Sequence, residues 1–303
     1  MKYTTTINNL NPYFVTGFCD AEACFSISIS KNPLQKLGWG VKLVFSIHLH
    51  SKDVEILYAI QRFFCVGNVT IHGDSAMYQV VKLNDILHII KHFDTFSLKT
   101  QKHADFLLFK EAYSIVRNKE HLKATGLEKI VNIRASLNKG LPERLKIAFP
   151  NYTPVDRPLV PKYAISSNNL NGNNWIAGFV TGEGCFFIKI SKSKTHKLGS
   201  SVALNFKVVQ NVRDSYLLKS FIQVFGCGSF VEKSGVGIYS VSNLSHIIDI
   251  IIPFFDKYPI LGAKAKDLED FKKTSVLIKS KLHLTKNGLD KIILIKSGMN
   301  FKR

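Results

Sequence analysis

Between Phe25 and Ser30 the chain alternates strictly, with Phe25, Ile27 and Ile29 falling on one face and Ser26, Ser28 and Ser30 on the other. Successive side chains of a strand point to opposite faces, so this stretch is predicted to be a strand with one buried face. A second strand starts at Val41, with Val41, Leu43, Phe45, Ile47 and Leu49 inward and Lys42, Val44, Ser46 and His48 opposite, and the turn at Gly38 predicts that the two pair as a hairpin. Over residues 53–64 the spacing becomes helical, with Val54, Leu57, Ile60 and Phe64 on one stripe behind an acidic start that suits the positive end of a helix. Further strands are predicted near 67–72 and 77–83, then helices near 84–93, 99–118 and 127–137.

The whole pattern then occurs a second time. Gly17, Phe18 and Glu22 return as Gly178, Phe179 and Glu183, displaced by 161 positions, and the same displacement carries Phe25 to Phe186, Phe45 to Phe206, Asp53 to Asp214 and Gly67 to Gly228. Farther on the displacement is 162, linking Phe93-Asp94 to Phe255-Asp256, His121-Leu122 to His283-Leu284 and Gly126-Leu127 to Gly288-Leu289, so one residue has been inserted in the second copy. A repeat of this length predicts two homologous domains, 1–149 and 171–303. Between them, 150–170 reads as an extended linker, marked by Pro150, Pro154, Pro158 and Pro161 and leading into an Asn-rich stretch at 168–174. Each domain is predicted to be αββαββα, an α+β design in which helices cover one face of a four-stranded antiparallel sheet.

The other sheet face is left open, and its composition is informative. In the first copy it carries Ser26, Ser28, Ser30, Asn32, Lys42, Ser46, His48, Asn68, Thr70 and His72; in the second, Lys189, Ser191, Ser193, Asn205, Lys207, Ser229, Lys233, Ser240 and Ser242. These are donors and cations without an acid among them. A merely solvated face would include some Asp and Glu, whereas this set suits base edges and phosphates, and antiparallel ribbons enter the major groove. The chain as a whole has 41 Lys and Arg against 22 Asp and Glu, a net charge of +19, which points to a polyanionic partner. Two unlike sheets would read an asymmetric duplex site of about two helical turns, roughly 20 base pairs.

A membrane is the other polyanionic surface, but the longest apolar stretch, 246–255, is too short to span one and contains Asp249 and Pro253. Residues 1–10 show neither a secretory signal nor a transit peptide. Cys19, Cys24, Cys65, Cys185 and Cys227 form no CxxC pair and read as buried free thiols of a reducing compartment rather than as a zinc site.

Chemistry is carried by the first helix of each copy. Residues 14–23 and 176–184 are small and apolar, with Gly17 and Ala21 in one, and Gly178 and Gly182 in the other, spaced by four on one face. Missing side chains there let two backbones approach closely, so the helices are expected to pack together. Each ends in a glutamate, Glu22 or Glu183. A carboxylate at a helix C-terminus meets the negative end of the dipole and its orphan carbonyls, and a hard divalent cation such as Mg²⁺ relieves both. Asp20 has only Thr181 opposite it in the repeat, which makes it a supporting residue at most.

Val15-Thr16-Gly17-Phe18-Cys19-Asp20-Ala21-Glu22-Ala23 and Ile176-Ala177-Gly178-Phe179-Val180-Thr181-Gly182-Glu183-Gly184 both resemble the LAGLIDADG motif. From the first motif to Gly288-Leu289-Asp290-Lys291-Ile292, the chain resembles the single-chain homing endonucleases of fungal mitochondrial introns. The resemblance implies a monomer whose two sheets form a DNA-binding saddle, and Mg²⁺-dependent double-strand cleavage that leaves short 3′ overhangs; Ca²⁺ is expected to support binding without cleavage. It implies Glu22 and Glu183 as catalytic metal ligands, joined by the carbonyls of Ala21 and Gly182, and Lys233 as a basic residue near the scissile phosphates. It also implies an organelle-encoded, mitochondrial protein. The departure is Ala23, where the motif ends in Gly; if that position needs a positive φ, Ala is strained there. An RNA maturase acting on its own intron, or a DNA-binding protein that does not cut, are the rival functions on the same scaffold.

Overall fold

The computed structural model describes residues 9–162, 165 and 170–300. The first copy runs α1 (Pro12–Glu22), β1 (Ala23–Lys31), β2 (Trp39–His50), α2 (Val54–Phe64), β3 (Asn68–His72), β4 (Ser75–Val80), α3 (Leu83–Thr95), α4 (Lys102–Arg117) and α5 (Ala124–Ser136), followed by a short α6 (Glu143–Ala148). The second runs α7 (Leu170–Glu183), β5 (Gly184–Lys192), β6 (Ser200–Asn211), α8 (Ser215–Phe225), β7 (Ser229–Lys233), β8 (Val236–Val241), α9 (Leu244–His246), α10 (Ile252–Lys257), α11 (Ala263–Lys279) and α12 (Lys286–Ser297). Both sheets are four-stranded and antiparallel, in the orders β1-β2-β4-β3 and β5-β6-β8-β7. The expected α+β pattern is therefore present twice, its last α being a set of packed helices.

The repeat extends to the cores. Phe25 of β1 packs against Phe45, Phe93 and Phe109 at ring-centroid distances of 5.2, 5.5 and 5.4 Å. Phe186 of β5 meets Phe206, Phe255 and Phe271 at 4.8, 5.6 and 5.5 Å. Aromatic pairs at such separations add to the burial of their large apolar area and fix the helices over one sheet face. An asparagine with left-handed backbone then fastens the end of each copy to its first strand. Asn138 (φ 53°) donates Nδ2 to the carbonyl of Phe25 at 2.7 Å and its backbone N–H to Asp105 at 3.3 Å; Asn300 (φ 58°) does the same to Phe186 at 3.3 Å and Asp267 at 3.1 Å.

The inserted residue of the second copy falls where the helix after β8 changes character. Between α9 and α10, Ile247–Ile251 forms a π-helical turn, running on from one and into the other without a break. A single extra residue inside a helix is accommodated by such a turn. The displacement is still 161 from Leu83 to Leu244 and is 162 from Phe93 to Phe255, on either side of it.

Three expectations are corrected. The Asn-rich stretch is not all linker: α7 begins at Leu170, and the buried Asn173 donates Nδ2 to the Tyr258 hydroxyl at 3.2 Å, a tertiary bond that local composition does not reveal. Residues 168 and 169 lie outside the described residues. The cysteines are not uniformly buried: Cys65 is exposed at the left-handed cap of α2, and Cys24 and Cys185 are half-buried on the open sheet faces. Ala23 is not at a positive φ, and neither is Gly184. What Gly184 supplies is space, because a Cβ there would run into Val180; in the first copy Val180 is replaced by the unbranched Cys19, and Ala23 fits.

By its contacts the chain divides into two units, one holding residues 22–161 and the other residues 13–21 and 162–303, so most of α1 packs with the second copy. No helix among the described residues is long and apolar enough to cross a membrane.

Candidate functional site

The second unit shows why each motif helix carries a glycine at the same register. Gly17 of α1 lies directly against the backbone carbonyl of Trp175 in α7, and Gly178 lies in the same way against the carbonyl of Phe14, so a Cβ at either position would collide with main chain. Phe14, Phe18, Trp175 and Phe179 are buried around this contact. The close approach expected from the glycine spacing is thus realised, and it is reciprocal.

Asp20 is buried and accepts the Trp175 indole N–H at 2.8 Å. Its counterpart Thr181 donates to the carbonyl of Ala177 at 2.8 Å and accepts the backbone N–H of Leu261 at 3.3 Å. Both positions hold helices in place. The helices are closed by Glu22 and Glu183, each half-buried and each followed at once by the first residue of a strand.

Lys264, at the start of α11, donates its Nζ to the carbonyl of Gly182. The sequence pattern did not single it out, because one lysine at a helix start among many has no periodic signature. The repeat offered the only clue, since Lys102 occupies the same register at the start of α4. Cys185, two residues beyond Glu183, lies near Lys264; burial pushes its thiol up from the ordinary value, against the pull of Lys264 and Lys207, and burial does the same to Cys24. Thiols raised in this way stay protonated at neutral pH.

The open faces of the sheets hold most of the residues expected there. Ser28, Ser30, Lys42, His48, Asn68, Thr70 and His72 are exposed in the first unit, with Ser26 and Asn32 half-buried; Ser26 donates to the carbonyl of Val44 at 3.3 Å. Ser46 is a correction: it has the expected face, but at 5% exposure, between Cys24 and Gln79, it is buried, because alternation gives direction and not depth. In the second unit Lys189, Ser229 and Lys233 are exposed, and Ser191, Asn205, Lys207 and Ser240 are half-buried. Lys207 extends its Nζ over the Phe187 ring, 5.1 Å from the centroid. Ser193 lies in the turn beyond β5, with its hydroxyl 2.7 Å from His196 Nδ1, and Ser242 lies just past the end of β8. Lys233 ends β7 in register with Val236, four residue pairs farther along the sheet than the row of Lys207, Ser240 and Ser229. The carbonyl of Gly182 in the second motif is met by Lys264.

No group of three or more His, Cys, Asp or Glu suited to a metal occurs among the described residues, and each motif helix ends in one carboxylate and its terminal carbonyls. Such a set suits a hard cation that completes its shell with water and phosphate oxygens. That the Gly182 carbonyl draws an ammonium group fits this polarity.

Comparison with known proteins accords with this layout. Residues 15–113 and 176–275 match the LAGLIDADG endonuclease family, once for each copy. Probable intron-encoded endonuclease 2 of Neurospora crassa is 39% identical over 96% of this chain, which spans 65% of that relative's length. The LAGLIDADG meganuclease I-CpaMI bound to uncleaved DNA is 42% identical, with 96% of this chain and 100% of that one covered and a TM-score of 0.92. I-SmaMI, bound to its uncleaved DNA target in the presence of calcium ions, is 39% identical, with 96% and 99% covered and a TM-score of 0.90. With both copies of the motif matched and the architecture shared over nearly the whole chain, this protein belongs to the LAGLIDADG endonuclease family.

Proposed function

We propose that this chain is a site-specific homing endonuclease that makes metal-dependent double-strand breaks in a long asymmetric DNA target. The observation that carries the reading is the glutamate that closes each of two motif helices in the same register of the repeat, Glu22 and Glu183, directly before the strands whose open faces carry donors and cations. The net charge of +19 and the DNA-bound state of the similar structures support the same partner.

In this reading Ser28, Lys42, His48, Asn68 and Thr70 on one sheet, and Lys189, Asn205, Lys207, Ser229 and Lys233 on the other, meet base edges and phosphates over about two helical turns. Glu22 and Glu183, with the carbonyls of Ala21 and Gly182, would hold Mg²⁺. The ion, when bound, supplies charge neutralisation at the scissile phosphate and acidifies water. Lys264, with Lys102 as its repeat counterpart, adds a positive charge that can pass from the carbonyl to a phosphate oxygen as charge builds there. Because one chain carries both copies, no second subunit is required. Cleavage is proposed to leave short 3′ overhangs, and the intron-encoded relatives favour a gene in a mitochondrial intron.

The test is to incubate the protein and its Glu22→Gln, Glu183→Gln variant with a randomised duplex library, in Mg²⁺ and separately in Ca²⁺, and to sequence the ends. Discrete double-strand breaks by the wild type in Mg²⁺ alone, absent from the variant, are the expected result. Specific retention without cutting in Mg²⁺ would reduce the protein to a DNA-binding role, and the absence of specific retention would direct the next test to intron RNA.

A further inference from the structure

The open faces of the two sheets differ most in one row. In the second unit Val209 of β6, Ile238 of β8 and Val231 of β7 lie side by side in register, on the face that also carries Lys189, Lys207, Ser229 and Lys233. Val209 is 39% exposed and Val231 54%. In the first unit the same row is His48, Met77 and Thr70. A row able to hydrogen-bond at both ends in one copy is entirely aliphatic in the other.

Exposed β-branched aliphatics in a row do not help a solvated surface, and these are flanked by Lys207, Ser240 and Ser229 on one side and by Asn211, Val236 and Lys233 on the other. The ligand must therefore be polyanionic overall yet present a small apolar group at that depth. The major groove offers one such group, the C5-methyl of thymine, which is read by apolar contact where polar side chains read the remaining base edges. Resting on the proposed DNA reading above, we infer that Val209, Ile238 and Val231 determine specificity by packing against thymine methyl groups in the half-site read by the second unit, while His48 and Thr70 read the matching positions of the other half-site by hydrogen bonds.

Uracil tests this without altering the protein, because it keeps every hydrogen-bonding edge of thymine and lacks only the methyl. Using the target recovered from the library, each thymine in turn is replaced by uracil, and binding is measured in Ca²⁺ with the wild type and with Val231→Thr, an exposed near-isosteric change. One to three thymines clustered in one half-site are expected to show an affinity loss of about fourfold each on losing the methyl, the worth of one buried methyl group. The variant should lose that discrimination at one of them, and a variant carrying Val209→His, Ile238→Met and Val231→Thr should lose it at all of them. Equal binding to thymine and uracil at every position, with specific retention of the target intact, would overturn this inference and leave the endonuclease reading standing. Failure to recover any target would remove both.

Discussion

The indole N–H of Trp175 donates to the carboxylate of Asp20 across 2.8 Å, joining two buried side chains that are 155 residues apart in the chain. The bond fixes the motif helices laterally, where their glycines leave little side chain to interlock. Trp175→Phe removes a donor from a buried carboxylate and is expected to cost about 1.5–3 kcal/mol of stability, measured by denaturant unfolding. Asp20→Asn keeps an acceptor and should leave the cleavage rate within about threefold, since in this arrangement Asp20 positions helices and takes no part in the chemistry. A cleavage rate that fell as far as that of Glu22→Gln would refute the assignment.

The pairing of Gly184 with Val180, and of Ala23 with Cys19, predicts a compensating pair of substitutions. Gly184→Ala should overpack the second motif and destabilise it by about 1–3 kcal/mol. Adding Val180→Cys, which copies the first motif, should recover the part of that loss that comes from the Val180 side chain, the rest being contact with the Val180 carbonyl. A thermal unfolding cycle over the two single variants and the double variant measures the coupling, and additive effects would show that the space at Gly184 is set elsewhere.

Lys264→Met keeps most of the side-chain length and deletes the charge held at the Gly182 carbonyl. If Lys264 serves the reaction, the cleavage rate should fall about a hundredfold while affinity for uncleaved target in Ca²⁺ changes little. A parallel fall in both would make the lysine a DNA-anchoring cation only. Lys102→Met, its counterpart in the repeat, should behave in the same way.

His92 is buried among Phe63, Phe64, Phe93 and Phe96, and burial lowers its pKa from 6.5 to about 4. Above pH 6.5 the imidazole is neutral in both folded and unfolded chains. As the pH falls from 6.5 towards 4 the unfolded chain takes up a proton that the folded one refuses, so stability drops across that window, by about 3 kcal/mol in all. The second copy has Phe254 in this register, and His92→Phe should flatten the dependence of unfolding free energy on pH between 4 and 6.5.

Much of this arrangement could be read from the residues themselves. Strand faces followed from alternation, because the period of two is fixed by backbone geometry, and the tight helix contact followed from Gly17 and Gly178. Depth did not follow: Ser46 has the right face but is shut in by its neighbours across the sheet. The start of α7 was missed because Asn173 is held by Tyr258, 85 residues away. Lys264 was missed because its significance lies in which carbonyl it reaches, which is a property of the folded chain.

The π turn at Ile247–Ile251 sets where the copies can be exchanged. A helix advances about 100° per residue, so an extra residue left uncorrected would rotate Phe255 away from Phe186 and Phe206. With the error absorbed locally, the segment after the turn is back in phase with its counterpart, and residues 252–300 correspond one for one with 90–138. A chimera spliced on either side of the turn, with the matching register, inherits a complete aromatic core. One spliced within it inherits the phase error, and the stretch beyond the turn is in that sense a replaceable part with a defined joint.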